Sequence, residues 1–531
     1  MPTALIIGSG PGAAGATLAL VADPAQRVTV IDVGATLEQD LRSTLGRLAN
    51  TAEGSWSLAD VERINHQPVP TRREVLPQKR TYGSNFPFRD AGQLEGIEPV
   101  GPANPSVVSG AYGGFSNIWG AQIMPFSKGT FDRWPITLAE MEPHYRIALG
   151  EMTLAGEEDD LAELFPLMAP ARRLPPSADR TERVMSRYRA RRSLVRSHGI
   201  TLGRARLAFR SDECTRCGLC MTGCPHELIY SSSQTFDRLR TEKRISYRPE
   251  LLAVHLDEID REPHVLVRST RTGQLERMTA DRVFVACGGI GTTRLVLGSL
   301  GAFDKPVYLQ ETSQFVMPTV SLRPVPEPRL ERNFTLNQFN LLYDVTGEGI
   351  DLCQVHFYDY NPAFLASLPG AIRRPIAEPA LAALLRRISV GLGYVPGWGS
   401  PRVKVVARRT TGGNDRLPVL EIDGEPRDGW PPMLKRLVGS MLKVAPALDV
   451  WPVVPMVSVS APAKSYDFGA SFPHERARTA TSTDRTGRLA AWDHIHLVDA
   501  SVFPDVPATT FTLTIMANAH RIASETLGMP G

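Results

Sequence analysis

The sequence predicts an α/β protein: a doubly wound, Rossmann-like domain that binds a dinucleotide, joined to a second domain built on a mixed sheet. Three observations carry this. The apolar run "ALII" opens directly onto "GSGPGAA". A second apolar run, "RVTVID", ends in an acid about 20 residues further on. Residues 306–455 begin with proline-rich punctuation, "MPTVSLRPVPEPRL", and then alternate as strands do.

Ala4–Ile7 is a short β-like run, and the turn after it puts Gly8, Gly10 and Ala13 at the three positions of a G-x-G-x-x-G/A turn. The first glycine permits the tight turn, and the second lets backbone approach a pyrophosphate. The small third residue lets helix pack on strand, and the helix amino terminus faces the phosphates. Asp32 closes the second strand, where a carboxylate can accept from ribose hydroxyls. Near the far end, "HIHLVDASVFPDVPATTFTLTIMANAHRIASETLG" reads as a strand into Asp499, a turn through Pro504 and Pro507, and a helix to Gly528. That helix begins near Thr510–Thr514, so Thr510 and Thr512 stand at its positive dipole end, with unpaired N–H groups and no acid in the first turn.

At 531 residues two intimately joined domains are expected rather than one. The 59 basic residues nearly balance 56 acidic ones, so no field argues for nucleic acid. The longest apolar stretches, such as "EPALAALL", fall short of the roughly 20 residues of a membrane span. No basic region precedes "ALIIG" and no small-residue cleavage site follows it, so no signal peptide is read and a cytoplasmic protein is the expectation.

In residues 306–455, "NFTLNQFNLLYDV" puts Gln338 and Asn340 on one strand face, and "DLCQVHFYDY" does the same for Gln354, His356 and Tyr358, with Val355 and Phe357 opposite. The polar face suits a substrate platform or a face turned to water; periodicity alone leaves both open. "ARRLPPSADRTERVMSRYRARRSL" reads as a basic surface helix facing solvent.

Four of the six cysteines fall in "CTRCGLCMTGCPHELIY": Cys214, Cys217, Cys220 and Cys224, spaced C-x2-C-x2-C-x3-C-P. This is the run that holds iron–sulfur clusters in bacterial ferredoxins, where backbone N–H groups point at the sulfides. A zinc site would ordinarily separate two C-x2-C pairs by a dozen or more residues, and this run is cramped for that. In two-cluster ferredoxins the fourth cysteine serves the other cluster, and here there is one run. A [4Fe-4S] cluster, zinc, and thiols merely packed in a loop therefore all stay open.

The segments around Gly8–Ala13, "AYGGFSNIWGAQIMPFSKGTFDRWP", "RVFVACGGIGTTRLVL" and the carboxy-terminal stretch from Asp499 resemble the glucose-methanol-choline (GMC) family of flavin oxidoreductases. The resemblance implies FAD, bound by a domain assembled from discontinuous segments. It divides the chain into 1–305 (with the cysteine-rich loop 205–235) and 456–531 for FAD, and 306–455 for substrate. It places Gly113, Gly114, Ser116, Asn117 and Trp119 in the flavin loop, with Asp499, Thr510 and Thr512 at the flavin. Some relatives attach FAD to a histidine in that loop; here Ser116-Asn117-Ile118-Trp119 contains none, which implies non-covalent FAD. Long-chain alcohol oxidases of the family carry a similar cysteine loop, which does not by itself establish a metal.

The family removes a proton from an alcohol as hydride passes to the flavin, using a histidine paired with a second histidine or an asparagine. At the matching positions this chain has Asp467 and Thr510. An aspartate can act as base if burial raises its pKa, and His474, His494, His496 and His356 are the imidazoles that could replace the missing one. The resemblance implies a dehydrogenase acting on a hydroxyl of a sugar, cyclitol or secondary metabolite, with one-electron exit through a cluster to a ferredoxin-like acceptor. A reductase running the opposite way, or a flavoprotein scaffold that has lost its catalytic pair, are the alternatives.

Overall fold

A computed structural model describes residues 1–67, 79–89, 96–100, 108–361, 374–410, 417–426 and 430–528. Strand β1 (Thr3–Ile7), helix α1 (Pro11–Val21) and strand β2 (Arg27–Ile31) begin the chain. They belong to a five-stranded sheet in the order Ile495–Leu497, Arg282–Val285, β1, β2, Ile245–Arg248, with every pairing parallel. The last four residues of β1 are buried, so its sequence is apolar without alternation, as a strand covered on both faces requires. Helix α1 is buried on nearly every side because the helix Thr512–Thr526 packs against it. Gly15 makes this approach possible: a Cβ there would collide with the Met516 carbonyl. The sheet draws its strands from residues 3–31, 245–285 and 495–497. The doubly wound domain is thus discontinuous in sequence.

A three-stranded antiparallel meander, Leu251–Ile259, Glu262–Ser269 and Leu275–Thr279, leads back into this sheet. A second, mixed sheet runs Phe468–Gly469, Pro306–Glu311, Arg402–Arg408, Val419–Glu425, Ile97–Val100. The largest sheet contains Trp451–Pro452, Ser313–Val320, Ile388–Val395, Leu352–Tyr358, Phe339–Asp344 and Ile200–Arg204 in that order, with Ser458–Val459 paired to Ser313–Val320. Ile200–Arg204 pairs with Phe339–Asp344, so this sheet recruits sequence from outside 306–455.

The polar face of the largest sheet is buried. Asn340 and His356 sit opposite each other, and Asn337 Nδ2 donates to both Asn340 Oδ1 (2.8 Å) and Gln122 Oε1 (2.8 Å). Val355 and Phe357 face the other way into an apolar cluster with Leu341 and Leu437. The basic helix, observed as Asp179–Ala190, departs from the expectation of a solvated face. Arg180 Nε binds Asp359 (2.8 Å) with both side chains buried, and Arg187 donates to the Ala447 and Pro446 carbonyls. No helix among the described residues is long and apolar enough to cross a membrane.

Candidate functional site

The carboxyl ends of the parallel strands open into a cavity of about 690 Å3 that reaches across to the largest sheet. Such crevices are where open α/β sheets bind ligands. Gly8, Gly10 and Asp32 line it, whereas Ala13 is buried in α1. Gly8 has φ +106° and a Cβ there would stand 2.5 Å from the Ala286 carbonyl oxygen, so the turn demands glycine. A Cβ on Gly10 would meet nothing within 4 Å, which leaves an open cradle at the amino terminus of α1. Burial pushes the Asp32 carboxyl up to about 7 from its ordinary 3.8. Asp32 accepts from Ser9 and from Tyr247 (3.4 Å).

Ser9 ties this turn to the glycine-rich loop, because the Gly113 N–H donates to its Oγ (2.8 Å). Gly113 and Gly114 both have positive φ, and a Cβ on Gly114 would press on Gly10 Cα at 3.3 Å. Asn117 braces the loop from within, donating to the Tyr112 (2.9 Å) and Gly114 (2.8 Å) carbonyls. Ser116 lines the cavity and accepts from the Ser232 N–H (2.9 Å); Trp119, also on the wall, is fixed by donation to the Tyr230 carbonyl (2.9 Å). Asp499 accepts from the Gly288 (2.8 Å) and Ser501 (2.9 Å) N–H groups and thereby holds two strand ends at the cavity. Thr510 lines the cavity with its hydroxyl on the Gln122 carbonyl (3.0 Å), and Thr512 lines it as the first residue of the last helix. Gln122 is buried on the same wall, and its Nε2 has no partner.

Of the predicted catalytic side chains, two face this space. His356 lines it, is 2% exposed, packs its ring 4.9 Å from that of Tyr394, and has no partner for Nε2. Burial alone holds the imidazole well below its usual range, at about 3, so it stands neutral, with Nε2 able to accept a hydrogen bond. Asp467 also lines the cavity; burial pushes its carboxyl up to about 6, against a lowering hydrogen bond from Thr312. His474 is placed elsewhere. Its Nδ1 lies 2.7 Å from the Asp484 carbonyl, its Nε2 lies 3.2 Å from Asn518, and its ring packs on Trp134. It is a core residue between the last helix and its neighbouring loop, and it does not line the cavity. His496 stacks on Phe284 and His494 binds Glu258, also away from it. Sequence reasoning missed Tyr394 and Gln314, which line the cavity from neighbouring strands, and Ser9, whose bridging role depends on a loop about 100 residues away.

The four clustered thiols stand next to this cavity: Met221, between Cys220 and Thr222, is part of its wall. Each of Cys214, Cys217, Cys220 and Cys224 lies within electrostatic reach of the other three. The Arg216 N–H points at Cys214 Sγ and the Thr335 N–H at Cys220 Sγ, both at 3.4 Å. Lys79, on the cavity wall, faces Cys220, and burial lowers its pKa to about 8. The expected ligand set is nevertheless not drawn together. Among the described residues no three His, Cys, Asp or Glu side chains stand close enough to hold a metal ion. A single zinc would need its sulfurs about 3.8 Å apart, from Zn–S bonds of about 2.3 Å; a cubane holds its cysteines further apart.

Fold and cavity together define an α/β protein in which a doubly wound, parallel-sheet domain faces a sheet that carries polar and aromatic side chains. Among solved structures, pyridoxine 4-oxidase from Mesorbium loti shares this fold, with a TM-score of 0.61 over 100% of both chains at 14% identity. No protein-family model matches the sequence, and no curated protein matches it.

Proposed function

We propose that this chain is an FAD-dependent oxidoreductase that oxidises a hydroxyl of a small polar molecule such as a sugar, cyclitol or secondary metabolite. The carrying observation is that one cavity joins the open Gly10 cradle and Asp32 to a neutral, unpartnered His356 Nε2. The residues present fit FAD: Gly8, Gly10 and Asp32 would hold its dinucleotide part, and the unpaired Gln122 Nε2 offers a donor to a ring carbonyl. The loop 113–119 has no histidine, so the cofactor is held without a covalent bond. When bound, FAD supplies a two-electron acceptor. His356 takes the hydroxyl proton at Nε2, and Asp467, ionised above about pH 6, lines the same cavity. On this reading residues 1–305 and 456–531 carry the cofactor, and 306–455 with Ile200–Arg204 carries the substrate wall. The likeness in fold to a pyridoxine 4-oxidase agrees with alcohol oxidation.

The four thiols would hold a [4Fe-4S] cluster, which would supply a one-electron exit to an acceptor such as a ferredoxin. Their spacing and the N–H groups aimed at two of the sulfurs support this, and binding would have to draw the thiols closer together than they stand.

Anaerobic mixing of FAD-loaded protein with candidate alcohols tests the first reading. Flavin bleaching is expected, slowed about 10²–10⁴-fold in His356→Ala, the usual worth of a positioned base. Bleaching only with an external reductant would favour the reductase, and no substrate-dependent change the scaffold.

A further inference from the structure

One serine joins the two glycine-rich segments of the cavity wall. Ser9, between Gly8 and Gly10, lines the cavity and is almost wholly buried. Its Oγ donates to Asp32 Oδ2 at the end of β2, and the same oxygen accepts from the Gly113 N–H (2.8 Å) at the head of the loop 113–119. The Gly113 peptide is gripped from its other side as well. Ser116 Oγ donates to its carbonyl (2.5 Å), and Ser232 Oγ is shared between the Gly113 (3.0 Å) and Ser9 (2.9 Å) carbonyls. Gly113 has φ +94° and no side chain, so hydrogen bonds rather than side-chain packing orient it.

A ribose hydroxyl on Asp32 would complete a series of three links: ribose to Asp32, Ser9 to Asp32, and Gly113 to Ser9. Hydrogen bonds in such a chain polarise one another, the more so out of water, and Ser9, Ser116 and Ser232 are all buried. A hydroxyl that donates to Asp32 favours its ionised form, against the burial that otherwise pushes the carboxyl up to about 7. The ionised carboxylate draws the Ser9 proton more strongly, and the Ser9 oxygen becomes the better acceptor for the Gly113 N–H. The loop is then fixed before a flavin meets it, and a ligand that needs the fixed loop binds with less ordering left to do.

We propose that Ser9 is a positioning residue that couples the two ends of the cofactor site: an adenosine ribose on Asp32 tightens binding of the flavin ring beside the loop 113–119, and the ring tightens the nucleotide by the same factor. This rests on the reading of the cavity as an FAD site.

The test splits the cofactor. Full-length apoprotein is mixed with AMP and riboflavin, which together lack one of the two phosphates of FAD and so leave each other room. Riboflavin binding is read from the quenching of its fluorescence, with and without saturating AMP. AMP is expected to tighten riboflavin at least about 5-fold, the lower end for coupled sites. The 2′,3′-dideoxy analogue of AMP keeps base and phosphate but has no hydroxyl for Asp32; it should bind and leave riboflavin affinity unchanged. Ser9→Ala should abolish the AMP effect, and Ser9→Thr, which keeps the hydroxyl, should preserve it. The effect is a ratio within each protein, so a general weakening of either ligand does not imitate its loss. If Ser9→Ala does not fold, the comparison of AMP with its dideoxy analogue on the unaltered protein decides. Riboflavin binding indifferent to AMP, an effect that the dideoxy analogue reproduces, or one that survives in Ser9→Ala would overturn the proposal. Failure of the FAD reading looks different: AMP, riboflavin and FAD all fail to bind, and the coupling falls with it.

Discussion

Two glycines two residues apart should fail in opposite ways when given a side chain. Gly10 sits in ordinary extended backbone, φ −73° and ψ −176°, at the amino-terminal cap of α1, and its Cβ direction is empty. Gly10→Val should therefore leave the apoprotein within about 0.5 kcal/mol of its original stability. Its three added carbons fill the space where backbone must approach a pyrophosphate, so FAD affinity should fall at least about 100-fold, or about 2.7 kcal/mol. Gly8→Ala adds one carbon at φ +106°, for about 1–3 kcal/mol of backbone strain. That carbon lies 2.5 Å from the Ala286 oxygen and 3.1 Å from its carbonyl carbon, both in backbone that cannot swing away, for about 1–3 kcal/mol more. The apoprotein should unfold several degrees lower. Thermal unfolding of apoprotein by circular dichroism and titration with FAD by flavin fluorescence separate the two effects. A Gly10→Val protein that binds FAD as tightly as the original would refute the placement of the phosphates at this turn, and a Gly8→Ala protein of unchanged stability would refute the strain and clash assigned to Gly8.

His474→Ala should lower the unfolding free energy by about 1–3 kcal/mol, because it strips partners from Asn518 and Thr483, while the rate of flavin reduction changes little; a reduction rate crippled in stable protein would move the base to His474. The carboxyl of Asp467 is raised from 3.8 to about 6, so its charge is present above that pH and lost as pH falls through it; flavin reduction should show an acid limb near pH 6 that Asp467→Asn removes. Anaerobically purified protein should contain about four iron and four sulfide per chain, and Cys217→Ser should lose both together; zinc alone, or four titratable thiols without metal, would leave the loop structural.

What the sequence disclosed was whatever depended on near neighbours. The run from β1 through Gly8, Gly10 and Ala13 to Asp32 is local chemistry, and it folds as read. The last helix was legible because its apolar spacing and the lack of acids in its first turn are properties of one segment. Periodicity showed that Gln354, His356 and Tyr358 share a face but not what covers it; Gln122 and Asn337, from other parts of the chain, convert that face from a wet surface into a cavity wall. Arg180 illustrates the same limit, since its charge suggested water and its partner Asp359 lies 179 residues away. Choosing among four histidines required burial and partners, neither of which is written in residue type.

The pairing of α1 with Thr512–Thr526 also sets an order of events during synthesis. Everything at the amino-terminal turn is made first, at about 5–20 residues per second on the ribosome. Yet the strand Ile495–Leu497, Asp499 and the helix against Gly15 come some 480 residues later. Until they emerge, α1 presents an uncovered apolar flank and the parallel sheet lacks an edge. The largest sheet, whose strands fall between Ile200 and Val459, is complete earlier. The crevice at the amino-terminal turn is therefore completed late, on an already half-folded chain, and in the interval before it the apolar flank of α1 is open to association with other chains.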